Sequence, residues 1–148
     1  MTFTERISED LKSALKAGDQ VRLTTIRSIR ASLIELAKRG SGTVSAEEEV
    51  GALLAAAKKR KEAIELYDKA GRKDLADLER AELAIIQQYL PPQMTREAAA
   101  TIVDQIVAAT GATGLKDIGK VMPAAMKEMK GKIDGSVVQE LVKSRLGS

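Results

Sequence analysis

Capping signals and helix breakers follow one another along this 148-residue chain. Between them the apolar residues step by three and four, which leaves little room for any structure but helices. Thr2 and Glu5 have capping-box spacing, and Gly18 closes the helix they open. Asp19 can cap a second helix, with Ile26, Ile29, Leu33 and Leu36 on one stripe up to Gly40. Ser45 and Glu48 repeat the capping box ahead of a long third helix carrying Leu53, Leu54, Ala57 and Ile64 to Gly71. A fourth helix is predicted from about Asp74 to Leu90, with Leu75, Leu78, Ile85 and Tyr89 inward, and Pro91-Pro92 stops it.

Thr95 starts a fifth helix, striped by Ile102, Val103, Ile106 and Val107 and ending near Gly111. The sixth is predicted over about Leu115 to Met129. Pro123 removes a backbone donor within it, so a kink or a split into two pieces is expected. Asp134 caps a seventh helix with Val138, Leu141, Val142 and Leu146 inward. No segment alternates with period two among β-branched and aromatic residues, so the fold class is all-α. Pro91-Pro92 divides it into an N-terminal helical lobe, residues 1–91, of about four helices packed as a bundle, and a C-terminal helical lobe, residues 92–148, of about three short ones. Aromatics make up only 2% of the chain, so its core has to be aliphatic, with close helix approach through alanine and glycine.

What is missing narrows the chemistry. The chain has no Cys, His or Trp, and so no thiol nucleophile, disulfide, Cys/His metal site or imidazole base. It carries no phosphate loop, no dinucleotide-binding glycine turn, no Gly-rich Ser-Ser-Lys stretch and no GxSxG elbow. No catalytic residue, metal or cofactor is expected, and no catalytic activity by the chain itself. The opening MTFTERISEDLK places carboxylates where a signal peptide needs an apolar core, and no apolar run approaches membrane-spanning length. No membrane association is expected, and a cytoplasmic location is.

Charge is distributed unevenly. Residues 1–41 hold 8 Lys+Arg against 5 Asp+Glu, residues 42–114 hold 9 against 12, and residues 115–148 hold 7 against 4. The most basic run, Lys58-Lys59-Arg60-Lys61, winds around most of a helix and reads as a solvated face, with Glu62 and Glu65 as ion-pair partners at helical spacing. Arg60 or Lys61 is expected to lay its methylenes along the seam between Ala57 and Ile64. Glu79 and Glu82, one turn apart, read as surface carboxylates near Arg80. Tyr89, next to Pro91 and Gln93, reads as a ring packed at the joint between lobes, and these three residues mark a seam where a protein partner could dock.

The tract from Leu115 to Leu146 carries the strongest functional signal. In one continuous helix Lys116, Lys120 and Lys127 share a face, and Lys130 and Lys132 extend the positive charge into a turn at Gly131. Glycines at Gly119, Gly131 and Gly135 cost about 1 kcal/mol each in a helix interior, so they point to turns or close packing. Lysines on one face with glycine beside them suit phosphate oxygens. Asp117, Glu128 and Asp134 dilute the patch.

Almost end to end, the chain resembles the YqeY-like family (GatB/YqeY domain), relatives of the C-terminal tail of the tRNA-dependent amidotransferase B subunit. The resemblance rests on VRLTTIRSIRASLIEL, on ERAELAIIQQYLPPQM, on Lys116-Asp117-Ile118-Gly119-Lys120-Val121-Met122, on Lys130-Gly131-Lys132 with Asp134-Gly135, and on the terminal VKSRL. Pro123 and Ile133 depart from the family pattern. The resemblance implies an all-α protein that contacts tRNA or a tRNA-bearing complex without catalysing transamidation. Glutamine hydrolysis and amide transfer belong to parts of the amidotransferase with no counterpart here. Two alternatives stand beside RNA binding. One is a protein-interaction adaptor. The other is an accessory to carbon–nitrogen ligase activity with glutamine as amido-N-donor.

Overall fold

The structure is a computed structural model and describes residues 1–147. Among these it contains seven α-helices, one short 3-10 turn and no strand, which is the all-α class expected. Contacts gather the chain into two units, Met1–Leu90 and a second from Pro91 onward.

In the first unit, α1 (Phe3–Ala17) opens with a reciprocal capping box between Thr2 and Glu5 and closes on Gly18 in the left-handed region, at φ 69°. The side chain of Asp19 accepts from the Arg22 N–H and starts α2 (Gln20–Arg39). A second capping box, Ser45 with Glu48, starts α3 (Ala46–Lys69). A short connection leads to α4 (Lys73–Gln87). Ile26, Ile29 and Leu33 of α2 meet Ile7, Leu53, Ala57, Ile86 and Tyr89 in one buried cluster. Thr25, the one buried polar side chain among the described residues, donates its hydroxyl to the Val21 carbonyl at 2.8 Å.

The distal half of the α3–α4 hairpin differs from expectation. Leu78 is 46% exposed instead of inward, and past Ala57 the hairpin buries only Ala76 until Ile86. Two helices alone cannot enclose a core, so Ile64, Tyr67 and Leu75 are only half-buried at this end, with an ion pair from Arg80 of α4 to Asp68 of α3 on its surface. Helix α4 also ends earlier than expected, at Gln87, with Gln88 to Leu90 finishing in a turn before the prolines.

The second unit comprises α5 (Arg96–Thr110), the 3-10 turn Leu115–Asp117, α6 (Ile118–Met129) and α7 (Gly135–Gly147). Thr95 caps α5, and Gly111 ends it at φ 70°. The core is aliphatic and includes Ala99, Val103, Val121, Ala125, Met129, Val138 and Val142. Pro123 does not split α6, which runs unbroken across it. The carbonyl deprived of its donor belongs to Gly119, an exposed residue that solvent can reach. The break falls earlier, where the 3-10 turn feeds into the α-helix at Ile118.

Candidate nucleic-acid interface

On α6 the buried residues Val121, Ala125 and Met129 repeat every four positions and turn one face to the core. The opposite face is made of Gly119, Lys120, Pro123, Ala124 and Lys127, all exposed. Lys120 and Lys127 are seven residues apart, so they stand within about 20° of each other and roughly 10.5 Å apart along the axis. Between them lie only small or ring-closed side chains, so the surface is low, with Asp117 beside Lys120 and the exposed Glu128 next to Lys127 at its edges.

Lys116 departs from the expected alignment. It sits in the 3-10 turn, outside the α-helical register that Lys120 and Lys127 share, because the helix starts at Ile118 and not at Leu115. Lys130 occupies the C-cap position of α6 with extended backbone, and Lys132 follows Gly131, whose φ of 77° turns the chain. All five lysines are exposed. The side chains of Lys127 and Lys132 have no hydrogen bond or ion pair among the described residues, whereas Lys130 is engaged.

The acids nearby are partly occupied elsewhere. Asp117 accepts from the Thr113 N–H at 2.9 Å, and this bond first, then the charges of Lys120 and Lys116, holds its carboxyl below the usual range. Its other oxygen is 3.9 Å from the Lys120 ammonium, whose side chain stays 71% exposed. Asp134 accepts from the N–H and hydroxyl of Ser136, each at 2.9 Å, and so caps the start of α7.

The glycines divide by role. Gly131 supplies the turn. At Gly135 a β-carbon would come within 3.1 Å of the Met126 methyl, the close approach its position suggested. Gly119 meets neither expectation, since nothing lies within 4 Å of a β-carbon there, and it contributes to the flat lysine face.

The three residues expected to form a docking seam are placed differently. Tyr89 is 8% exposed and belongs to the core of the first unit. Its hydroxyl donates to Asp10 at 2.5 Å, its ring stands edge-on to Phe3, and the Arg6 guanidinium lies 4.7 Å above it. Burial first, and then the Asp10 carboxylate, push the phenol up to about 12. Gln93 works inside the second unit, where its side-chain amide donates to the Pro91 carbonyl at 2.7 Å and to the Gly131 carbonyl at 2.9 Å. The Met94 N–H adds a bond to the Lys132 carbonyl at 2.8 Å, so residues 91–94 fix the lysine turn. Spacing alone could not reveal that link, because Gln93 and Gly131 are 38 residues apart. Pro91 is half-buried.

The other constellations resolve as structural. Arg60, not Lys61, lies along the core seam, with its Nε 3.4 Å from the Glu82 carboxylate and both side chains about 15% exposed. Burial, and next the charge of Glu82, raise the Glu79 carboxyl, while Arg60 opposes the rise. Glu65 pairs with Lys69 instead of Lys61. Among the described residues no group of His, Cys, Asp and Glu side chains could hold a metal ion, and no single helix is long and apolar enough to cross a membrane.

Fold and site together define a class: all-helical proteins of two small units, with a lysine-bearing C-terminal unit. The model of the family described as Yqey-like protein matches residues 4–146, and the chain belongs to that family. It is also similar to "Altered inheritance of mitochondria protein 41, mitochondrial" of Pyrenophora tritici-repentis (strain Pt-1C-BFP). The two are 27% identical over 150 residues, covering 97% of this chain and 80% of the relative.

Proposed function

We propose that this protein is a non-catalytic RNA-binding module whose partner is tRNA or a tRNA-bearing complex. The observation that carries the reading is that Lys120 and Lys127 share one exposed face of α6 with only Gly119, Pro123 and Ala124 between and beside them. Ammonium groups on a flat surface let a ribose-phosphate chain lie close to the helix, and such contacts position a backbone without reading bases. The Gly131 turn, held by Gln93 and Met94, keeps Lys130 and Lys132 beside the end of the same helix.

The test is binding of the full-length protein to a labelled tRNA transcript across a range of salt. Three to five phosphate contacts from these lysines contribute roughly −3 to −5 to the slope of log affinity against log salt. Lys120→Glu combined with Lys127→Glu should make that slope shallower by roughly 2 while leaving the helical circular dichroism unchanged. Salt-independent binding, or affinity that survives the double reversal, would overturn the reading.

A further inference from the structure

The arginines of this chain are nearly all occupied. Arg6, Arg39, Arg60, Arg72, Arg80, Arg96 and Arg145 each pair with a carboxylate, and Arg22 donates to Gln88. Arg27 and Arg30 are the exceptions: both are exposed, and neither side chain has a hydrogen-bond or ion-pair partner among the described residues. They stand three residues apart on α2, in the first unit.

At about 100° per residue, Thr24, Arg27, Ala31, Ile34 and Lys38 fall within roughly 80° of one another, and Arg30 borders them. All six are exposed. Thr24, Arg27, Ala31, Ile34 and Lys38 form a strip along the side of α2 turned away from its buried Ile26, Ile29 and Leu33. Arg30, one turn after Ile26, stands at the boundary between that strip and the buried face. The one carboxylate within α2, Glu35, is taken by Arg39 at 2.5 Å.

We propose that this strip is a second RNA-backbone contact surface, on a different unit from the lysines of α6. The proposal rests on the RNA-binding reading for the nature of the ligand, but on separate residues. Three features favour a phosphodiester chain. From Arg27 to Lys38 the cations extend about 16 Å along the helix axis, so they track a line of anions and do not converge on one small ion. Two unpaired guanidinium forks with the Thr24 hydroxyl beside them are the donors that phosphate oxygens take bidentately. A protein partner or a lipid surface would need an apolar centre to hold it, and Ile34 is the only large apolar side chain on the strip.

The test uses the full-length protein, the labelled tRNA transcript and two double variants, Arg27→Glu/Arg30→Glu and Lys120→Glu/Lys127→Glu. The arginine reversal should weaken binding by about tenfold or more and make the salt slope shallower by roughly 2, with the α6 lysines intact. Arg27→Lys/Arg30→Lys should keep the slope and lose part of the affinity, because the charge remains and the fork does not. If the reversed chain fails to fold, Arg27→Gln/Arg30→Gln is read in its place and should flatten the slope equally. If the arginine variants bind like the parent while the lysine variant does not, the α2 strip is refuted and the RNA-binding reading survives. If the parent protein binds no tRNA, both fail. Retention on anionic vesicles, or on an acidic protein, in place of tRNA would also overturn the strip as an RNA surface.

Discussion

In the first unit guanidinium groups act as struts. Arg60 crosses to Glu82 between α3 and α4, Arg80 holds Asp68 across the hairpin, and Arg6 covers the ring of Tyr89. In the second unit the cations of α6 and its turn are mostly lysines left in solvent. The arginines there, Arg96 with Glu140 and Arg145 with Asp104, still tie helices together. The chemistry explains the division. A planar fork satisfies a fixed carboxylate with little loss of freedom, whereas a hydrated ammonium on a flexible stem remains available to a mobile anion. By that standard the unpaired Arg27 and Arg30 are out of character for a unit that otherwise uses arginine to brace itself.

The cores differ as well. All three aromatic residues, Phe3, Tyr67 and Tyr89, lie in the first unit, and Phe3 and Tyr89 close its cluster. The second unit packs only aliphatic and methionine side chains. Tyr89→Ala should therefore have the largest effect, about 3–5 kcal/mol for losing a buried ring. Hydrogen exchange should show lost protection concentrated in α1 to α4, and equal loss throughout α5 to α7 would break the distinction. Tyr89→Phe refines the same contrast, since the phenol is raised from its ordinary 10.0 to about 12. The group titrates higher when folded, so its contribution is whole below about pH 10 and is lost as pH rises through about 12. The phenylalanine variant should be less stable by about 1–2 kcal/mol at neutral pH, with the gap closing in strong alkali.

A middle-sized effect is expected in the second unit. Gly131→Ala forces a β-carbon into the left-handed region and should cost about 1–2 kcal/mol, read from urea unfolding. It should also weaken tRNA binding if the turn presents Lys130 and Lys132, and full stability with the mutation would contradict the turn. The smallest effect belongs to Glu79→Gln. Because the Glu79 carboxyl is raised, the proton is favoured in the folded state, and that stability is lost as pH rises through the folded value. Relative to the parent, the glutamine variant should gain by less than about 1 kcal/mol between pH 4 and pH 7, since solvent screens a site of this exposure.

The helix boundaries were legible because capping is local. Thr2 with Glu5, Ser45 with Glu48, and Asp19 each act within three residues of themselves, and all form as their spacing indicates. The α7 stripe was legible for the same reason: Val138, Leu141, Val142 and Leu146 are all buried. Leu78 was not, because periodicity states which residues share a face and not whether another helix covers it. The α6 region was read one turn too long, since the 3-10 turn at Leu115–Asp117 and the α-helix after it carry similar residues.

By itself, then, the amino-acid order determined the all-α class, the places where helices begin and end, and the absence of thiol and imidazole chemistry. These are matters of backbone hydrogen bonding and residue type, settled within a turn or two. Tertiary packing alone decided that Tyr89 is a buried lock joined to Asp10 and that Gln93 pins the lysine turn. It alone also left Arg27 and Arg30 without carboxylate partners. Each of these depends on residues distant in sequence meeting, or failing to meet, in space.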